Sequence, residues 1–179
     1  LPQNKIIKVR GLQSHENFVD EIFTGNRAAL NLQYQDKISI KRGNHISEEN
    51  YFSTYEIAIV SIRILSKINK NIKNNDRLRV YLGTQEIMAR LQLFDKKYLE
   101  PGQHSIAILK FEKPIIASFK DLFILRQFSP LITIGGGEII DFNVFSKWKD
   151  NNKYIQSFKD SKDKNDYISN IITYKYMNP

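Results

Sequence analysis

Val9–Leu32 reads VRGLQSHENFVDEIFTGNRAALNL. A strand-like start, Lys5–Val9, leads into it, and a polar bend at Ser14–Asn17 is followed by an apolar-acidic segment. Thr24-Gly25-Asn26 is then a turn signal, and Arg27–Leu32 is a second alternating run. Short strands at this spacing, separated by Gly/Asn turns, predict neighbouring strands of a small all-β barrel.

Around this stretch, residues 1–46 hold three expected strands: Asn4–Arg10, Arg27–Gln33 and Lys37–Lys41. Three strands rarely close a barrel. This portion is therefore expected to be the C-terminal part of a barrel whose first strands lie outside the chain, with exposed edges. Arg42-Gly43-Asn44-His45 reads as a turn and Ile46–Asn50 as a linker.

Residues 47–143 carry enough strands for a complete second barrel. Tyr55–Leu65 is rich in β-branched residues but alternates imperfectly, and Ser66–Asp76 is an Asn/Lys loop. Arg77–Leu82 and Gln85–Phe94 form a pair joined at Gly83-Thr84. In the second of these, Ile87, Ala89, Leu91 and Leu93 share one face, and Met88, Arg90 and Gln92 the other. Pro101-Gly102 is a turn signal. His104–Phe111 is expected to end at Glu112-Lys113-Pro114, and Ile115–Ala117, Leu122–Phe128 and Ile132–Phe142 complete the set. Prolines 101, 114 and 130 fall at the expected strand borders, where a missing N–H costs little. A glycine turn leading into an alternating strand occurs twice, at Thr24–Leu32 and at Pro101–Leu109, which fits two related barrels.

Residues 144–179 change period. Phe145, Trp148, Ile155 and Phe158 fall at helical spacing, as do Ile168, Ile171 and Ile172. Asp163 is placed to cap the second segment. Two short helices are expected, basic on the outside, their aromatic stripe serving packing rather than base stacking.

Composition narrows the function. The chain has 179 residues, 41% of them hydrophobic, which allows one or two domains with a core. It has no run of about 18 apolar residues, so no membrane span is expected. The absence of cysteine rules out disulfides and thiolate metal sites and suits a reducing cytoplasm. The three histidines are scattered, so no metal site is expected. No GxxxxGK[ST] run is present, and no spacing implies a nucleophile-base-acid triad. No catalysis and no cofactor are therefore expected of these residues themselves. Gly135-Gly136-Gly137 lies between Ile134 and Ile139 with no lysine, and reads as a bulge or a close backbone approach rather than a phosphate cradle. The net charge of +8 suits a polyanionic partner, because Lys and Arg release counterions from phosphates. The alternative is a Lys- and Asn-rich composition with solvated charges.

The sequence also resembles a family. Arg10–Asn17, RGLQSHEN, followed by Thr24–Leu32, TGNRAALNL, resembles the second half of domain II of the selenocysteine-specific elongation factors (SelB), relatives of elongation factor Tu. Phe123–Asp141, FILRQFSPLITIGGGEIID, resembles the end of domain III of that family. Leu82-Gly83-Thr84 with Ala89-Arg90-Leu91 resembles an earlier strand pair of that domain, and Leu99–Pro114, LEPGQHSIAILKFEKP, its turn, strand and closing proline. The likeness covers about residues 5–143.

The resemblance implies translation-factor β-barrels of the elongation factor Tu domain II/III type, with a short C-terminal α-helical segment. Residues 1–46 would be the end of a domain II-like barrel, 47–143 a domain III-like barrel, and 144–179 an arm toward further domains. The parent would be a cytoplasmic GTPase that delivers selenocysteinyl-tRNA to the ribosome at UGA codons. GTP and Mg would belong to its own GTPase domain in cis, and an mRNA hairpin to domains after the arm. Gln13 and His15 match positions lining the aminoacyl-adenosine pocket, although Gln13 replaces the acidic residue of elongation factor Tu. Arg27 matches an asparagine of elongation factor Tu at a position where this family carries arginine. Arg126 matches an arginine that contacts the tRNA stem. Arg90 and Lys120 join it as tRNA-binding candidates by outward register alone. The competing classes are a barrel module of another translational GTPase and a protein-interaction barrel with no RNA role.

Overall fold

The computed structural model describes residues 1–2, 4–33, 40–94, 96–142, 148–159 and 164–177. Strands β1 (Lys8–Ser14), β2 (Asn17–Val19) and β3 (Ala29–Gln33) form an antiparallel sheet in the order β2-β1-β3. Strand β1 begins at Lys8 rather than Asn4 and continues past Arg10 to Ser14, where the expected bend begins. Its partner β2 is absent from the sequence reading, because the turn between them carries no glycine. His15 and Glu16 instead hold φ of 49° and 68° between the paired Ser14 and Asn17. Positive φ at both central residues is the geometry of a type I′ hairpin. Of the expected strand Lys37–Lys41, residues 37–39 lie outside the described residues, and Ile40 and Lys41 are not in a strand. Phe18 and Phe23 on this sheet and its loop stay 82% and 67% exposed, so it closes no core of its own.

The second unit does close. Strands β4 (Tyr55–Ile64), β5 (Ile72–Lys73), β6 (Arg77–Leu82), β7 (Gln85–Gln92), β8 (Tyr98–Leu99), β9 (His104–Ile115), β10 (Leu122–Gln127) and β11 (Thr133–Asp141) follow in order. Six of them form a closed antiparallel barrel, β10-β11-β4-β9-β7-β6, sealed by the β6–β10 pairing, while β5 and β8 pair beside it. Alternate residues fill the inside: Val60, Ile62 and Ile64, Leu78 and Val80, Ala89 and Leu91, Phe123 and Leu125 are all buried. Gly83, with φ 54°, occupies the first central position of the β6–β7 hairpin, the type II′ pattern. Pro101-Gly102 makes a turn closed by the Gln103 amide donating to Glu100 at 3.1 Å, with Gly102 at φ 82°. That is the type II arrangement, which needs glycine third.

Helices α1 (Trp148–Lys159) and α2 (Lys164–Met177) explain why β4 alternates imperfectly. Ile59, Ile106, Ile108 and Ile140 point out of the barrel, and Tyr154, Ile155 and Phe158 of α1 bury against them. Strand β4 is therefore covered on both faces, which favours a continuous apolar run over strict alternation. Each fully buried side chain of this kind contributes about 1.5–3 kcal/mol. The expected aromatic stripe thus serves packing at Ile155 and Phe158, whereas Ile168 and Ile172 are exposed. Phe145 and Asp163 lie outside the described residues, as does the side chain of Trp148.

Strand β9 differs from expectation. It continues through Pro114 to Ile115, and Ile115–Ala117 is not a separate strand. The β4–β9 register jumps from Ile57↔Lys110 to Tyr55↔Ile115, so Pro114 falls in an irregular stretch where its missing N–H breaks no regular ladder. The three glycines of β11 are a close approach. A Cβ on Gly136 would lie 2.6 Å from the Phe123 carbonyl oxygen, and one on Gly135 or Gly137 would run into the carbonyl of Arg63 or Ser61.

Candidate nucleic-acid interface

The inward alternation of β6, β7, β9 and β10 leaves their other side chains on the outer wall of the barrel. Register then stacks cations across the strands. Arg126 of β10 sits opposite Arg79 of β6, and Arg77 of β6 opposite Arg90 of β7, which in turn faces Lys110 of β9. Like charges directly across strands repel. Two carboxylates among them offset part of this. Glu112 takes two hydrogen bonds from Arg77, at 2.6 and 2.7 Å, and Glu86 pairs with Arg79. Those hydrogen bonds hold both carboxyls below their ordinary range, and donation to Glu112 raises the Arg77 guanidinium.

Aromatic rings lie close to the guanidinium groups. Arg77 lies 4.9 Å and Arg79 5.8 Å from the centre of the Phe128 ring, and Arg126 lies 5.7 Å from that of Tyr81. The Arg126 Nη2 donates to the Leu131 carbonyl at 2.9 Å. The Nε atoms of Arg79 and Arg126 are buried and have no hydrogen-bond partner among the described residues. Arg90 is exposed and makes a long bond, 3.4 Å, to the Asn75 carbonyl.

Lys120 does not join this face. It precedes β10, donates to Glu138 at 2.7 Å, and lies 4.9 Å from the ring of Tyr167 on α2. Five residues, Asp121–Leu125, separate it from Arg126 along the chain. It lies in the turn before β10, with φ 72°, and so has no strand register; the ion pair and the α2 ring engage it there.

Gln13, His15 and Arg27 come together at one end of the first sheet. Gln13 pairs with Phe18 on one side and Ala29 on the other. His15 is exposed in the β1–β2 turn. The Ser14 hydroxyl donates to the carbonyl of Arg27 at 3.2 Å, which brings the exposed Arg27 beside that turn. Arg27 lies two residues before β3 rather than inside a strand.

A separate depression of about 770 Å³ lies over the glycines of β11. On its wall the Ser61 Oγ and His104 Nε2 are 2.7 Å apart. Partial burial and then Arg63 lower the imidazole, with Glu138 opposing them. Among the described residues no three His, Asp or Glu side chains are grouped to hold a metal ion.

Residues 59–145 match the family described as selenocysteine-specific elongation factor, beta-barrel domain. The barrel belongs to the selenocysteine-specific elongation factor family. A selenocysteine-specific elongation factor of Desulfomicrobium baculatum is 30% identical over 141 residues, which cover 79% of this chain and 22% of that protein. The chain thus spans less than a quarter of the relative's length.

On this selenocysteine-specific elongation factor barrel, Arg126 and Arg90, expected from the sequence, share the wall with Arg77, Arg79, Lys110 and Phe128, which were not expected there. The signal for the first two was present in the alternation of Arg77-Leu78-Arg79-Val80, which places both arginines opposite the core-facing Leu78 and Val80. Nothing local indicates that Phe128 lies under them, since the β6–β10 pairing brings together residues about fifty apart. Among the described residues no helix is long and apolar enough to cross a membrane.

Proposed function

We propose that this chain is the tRNA-binding middle of a selenocysteine-specific elongation factor that delivers selenocysteinyl-tRNA to the ribosome at UGA codons in the cytoplasm. The observation that carries this reading is the outer barrel wall, where Arg126, Arg79, Arg77, Arg90 and Lys110 stand in cross-strand rows. Their mutual repulsion is relieved when a phosphate backbone neutralises them, and counterion release drives such binding. A-form stems are gripped through shape and backbone. Arg126 and Arg90 grip the stem, while Gln13, His15 and Arg27 face the aminoacyl end from the first sheet, the remainder of a domain II-like barrel. GTP and Mg are handled by a GTPase domain in cis, and an mRNA hairpin by domains beyond the arm.

The test is binding of the 179-residue chain to tRNA across a salt series. Expected is a steep fall in affinity, with a slope of log K against log salt of about −3, as for a few phosphate contacts. Salt-independent binding, or none at low salt, overturns the reading and favours a protein-interaction barrel.

A further inference from the structure

We infer that Phe128, backed by Arg77 and Arg79, is a stacking platform for an unpaired nucleotide of RNA. The inference rests on the RNA-binding reading above and deepens it. A duplex phosphate backbone explains the arginines and lysine of the wall but gives no role to an aromatic ring among them. Phe128 leads the loop between β10 and β11 and remains 48% exposed, although two guanidinium groups lie within 6 Å of its ring centre. The loop is braced: the Gln127 amide donates to Ile132 at 2.8 Å, and the Arg126 side chain to Leu131 at 2.9 Å. Glu112 and Glu86 hold the two arginines in turn. The ring is therefore fixed before any partner arrives. A rigid ring with open surface, set among cations, is what an unstacked base needs: a π face for the base and positive charge for its flanking phosphates. A base seated on the free side would complete an arginine–ring–base stack.

The test uses the whole chain and two labelled RNA hairpins of the same stem, one fully paired and one with a single bulged nucleotide, measured by fluorescence anisotropy. The wild type is expected to prefer the bulged hairpin by about tenfold, within the range of one base–aromatic stack. Phe128→Leu should abolish the preference and leave the affinity for the paired hairpin and its salt slope unchanged. Phe128→Tyr, which keeps the ring, should retain the preference. Phe128 lies on the surface of the loop, so circular dichroism is expected to show both variants folded. Equal binding of both hairpins by the wild type, or a preference that survives in Phe128→Leu, overturns the platform while leaving the RNA-binding wall intact. Equal loss of both hairpins in Phe128→Leu also overturns it, making the ring a brace for the arginines. If neither hairpin binds at low salt, the RNA-binding reading falls and the platform with it.

Discussion

The phenol of Tyr154, on the first helix, donates a hydrogen bond to the buried carboxylate of Asp141 at the end of the last barrel strand. The second oxygen of the same carboxylate accepts from the Phe142 amide at 2.8 Å. The bond joins two elements whose apolar surfaces are also packed together, so α1 is fastened to the barrel.

Tyr154→Phe removes the donor and keeps the ring. A hydrogen bond to a charged group is worth roughly 1.5–3 kcal/mol. Hydrogen exchange should show amides of residues 153–158 losing protection by a corresponding factor, with the barrel strands little changed. Unaltered exchange in the helix would mean that apolar packing alone holds it.

Gly137 sits where β11 crosses between Phe123 and Ile62. A methyl group there runs into the Ser61 carbonyl and comes within 2.9 Å of the Phe123 ring. Backbone must move, so Gly137→Ala should lower stability by at least about 1–3 kcal/mol, the cost of overpacking. Gly11→Ala is the control, because a Cβ at Gly11 meets nothing within 4 Å, and it should fall within about 0.5 kcal/mol of wild type. Urea denaturation of the two variants checks both. Equal midpoints would mean that the close approach at Gly137 carries no cost.

Arg126 and Lys120 should part company. Arg126→Ala is expected to weaken tRNA binding and to reduce its salt slope by about one unit, as for one lost phosphate contact. Its effect should not depend on the esterified amino acid. Lys120→Met should leave both affinity and slope nearly unchanged, because the ammonium is engaged with Glu138 and Tyr167. A Lys120 effect as large as that of Arg126 would show that RNA also reaches the helix-bearing end.

Arg27 is predicted to tell selenocysteine from serine. The two side chains differ by selenium for oxygen, so size gives little discrimination. A selenol is largely ionised at neutral pH and a hydroxyl is not, and a guanidinium is a permanent partner for the anion. A charge-assisted bond contributes roughly 1.5–3 kcal/mol, or one to two decades of preference. His15, in the neighbouring β1–β2 turn, is proposed as a second donor. In a complete factor, Arg27→Asn should lower affinity for selenocysteinyl-tRNA much more than for the seryl form. Equal losses in a competition assay would falsify the discriminating role and leave Arg27 as a general tRNA contact.

Local chemistry was enough to specify the glycine turns at Gly83 and Gly102 and the inward face of β7, but not the glycine-free β1–β2 hairpin. Gly83 and Pro101-Gly102 need backbone conformations that only their neighbours in sequence dictate, and the alternation of Gln85–Gln92 assigns Ile87, Ala89 and Leu91 to the core whatever they pack against. The family signature was likewise legible, because it lies in contiguous runs such as TIGGG. Tertiary structure decided what depends on distant partners. Strand β4 carries isoleucines on both faces because α1, some ninety residues later, covers its outer side. Pro114 sits within a strand because the register of β9 against β4 slips beside it. Lys120 and Arg126 look alike in sequence, as cations six positions apart, one just before β10 and one within it. Glu138 and Tyr167 engage the first, and closure of the barrel sets the second beside Arg79. A side chain's neighbours across a sheet are chosen by strand order and register, and those follow from burying the whole core at once.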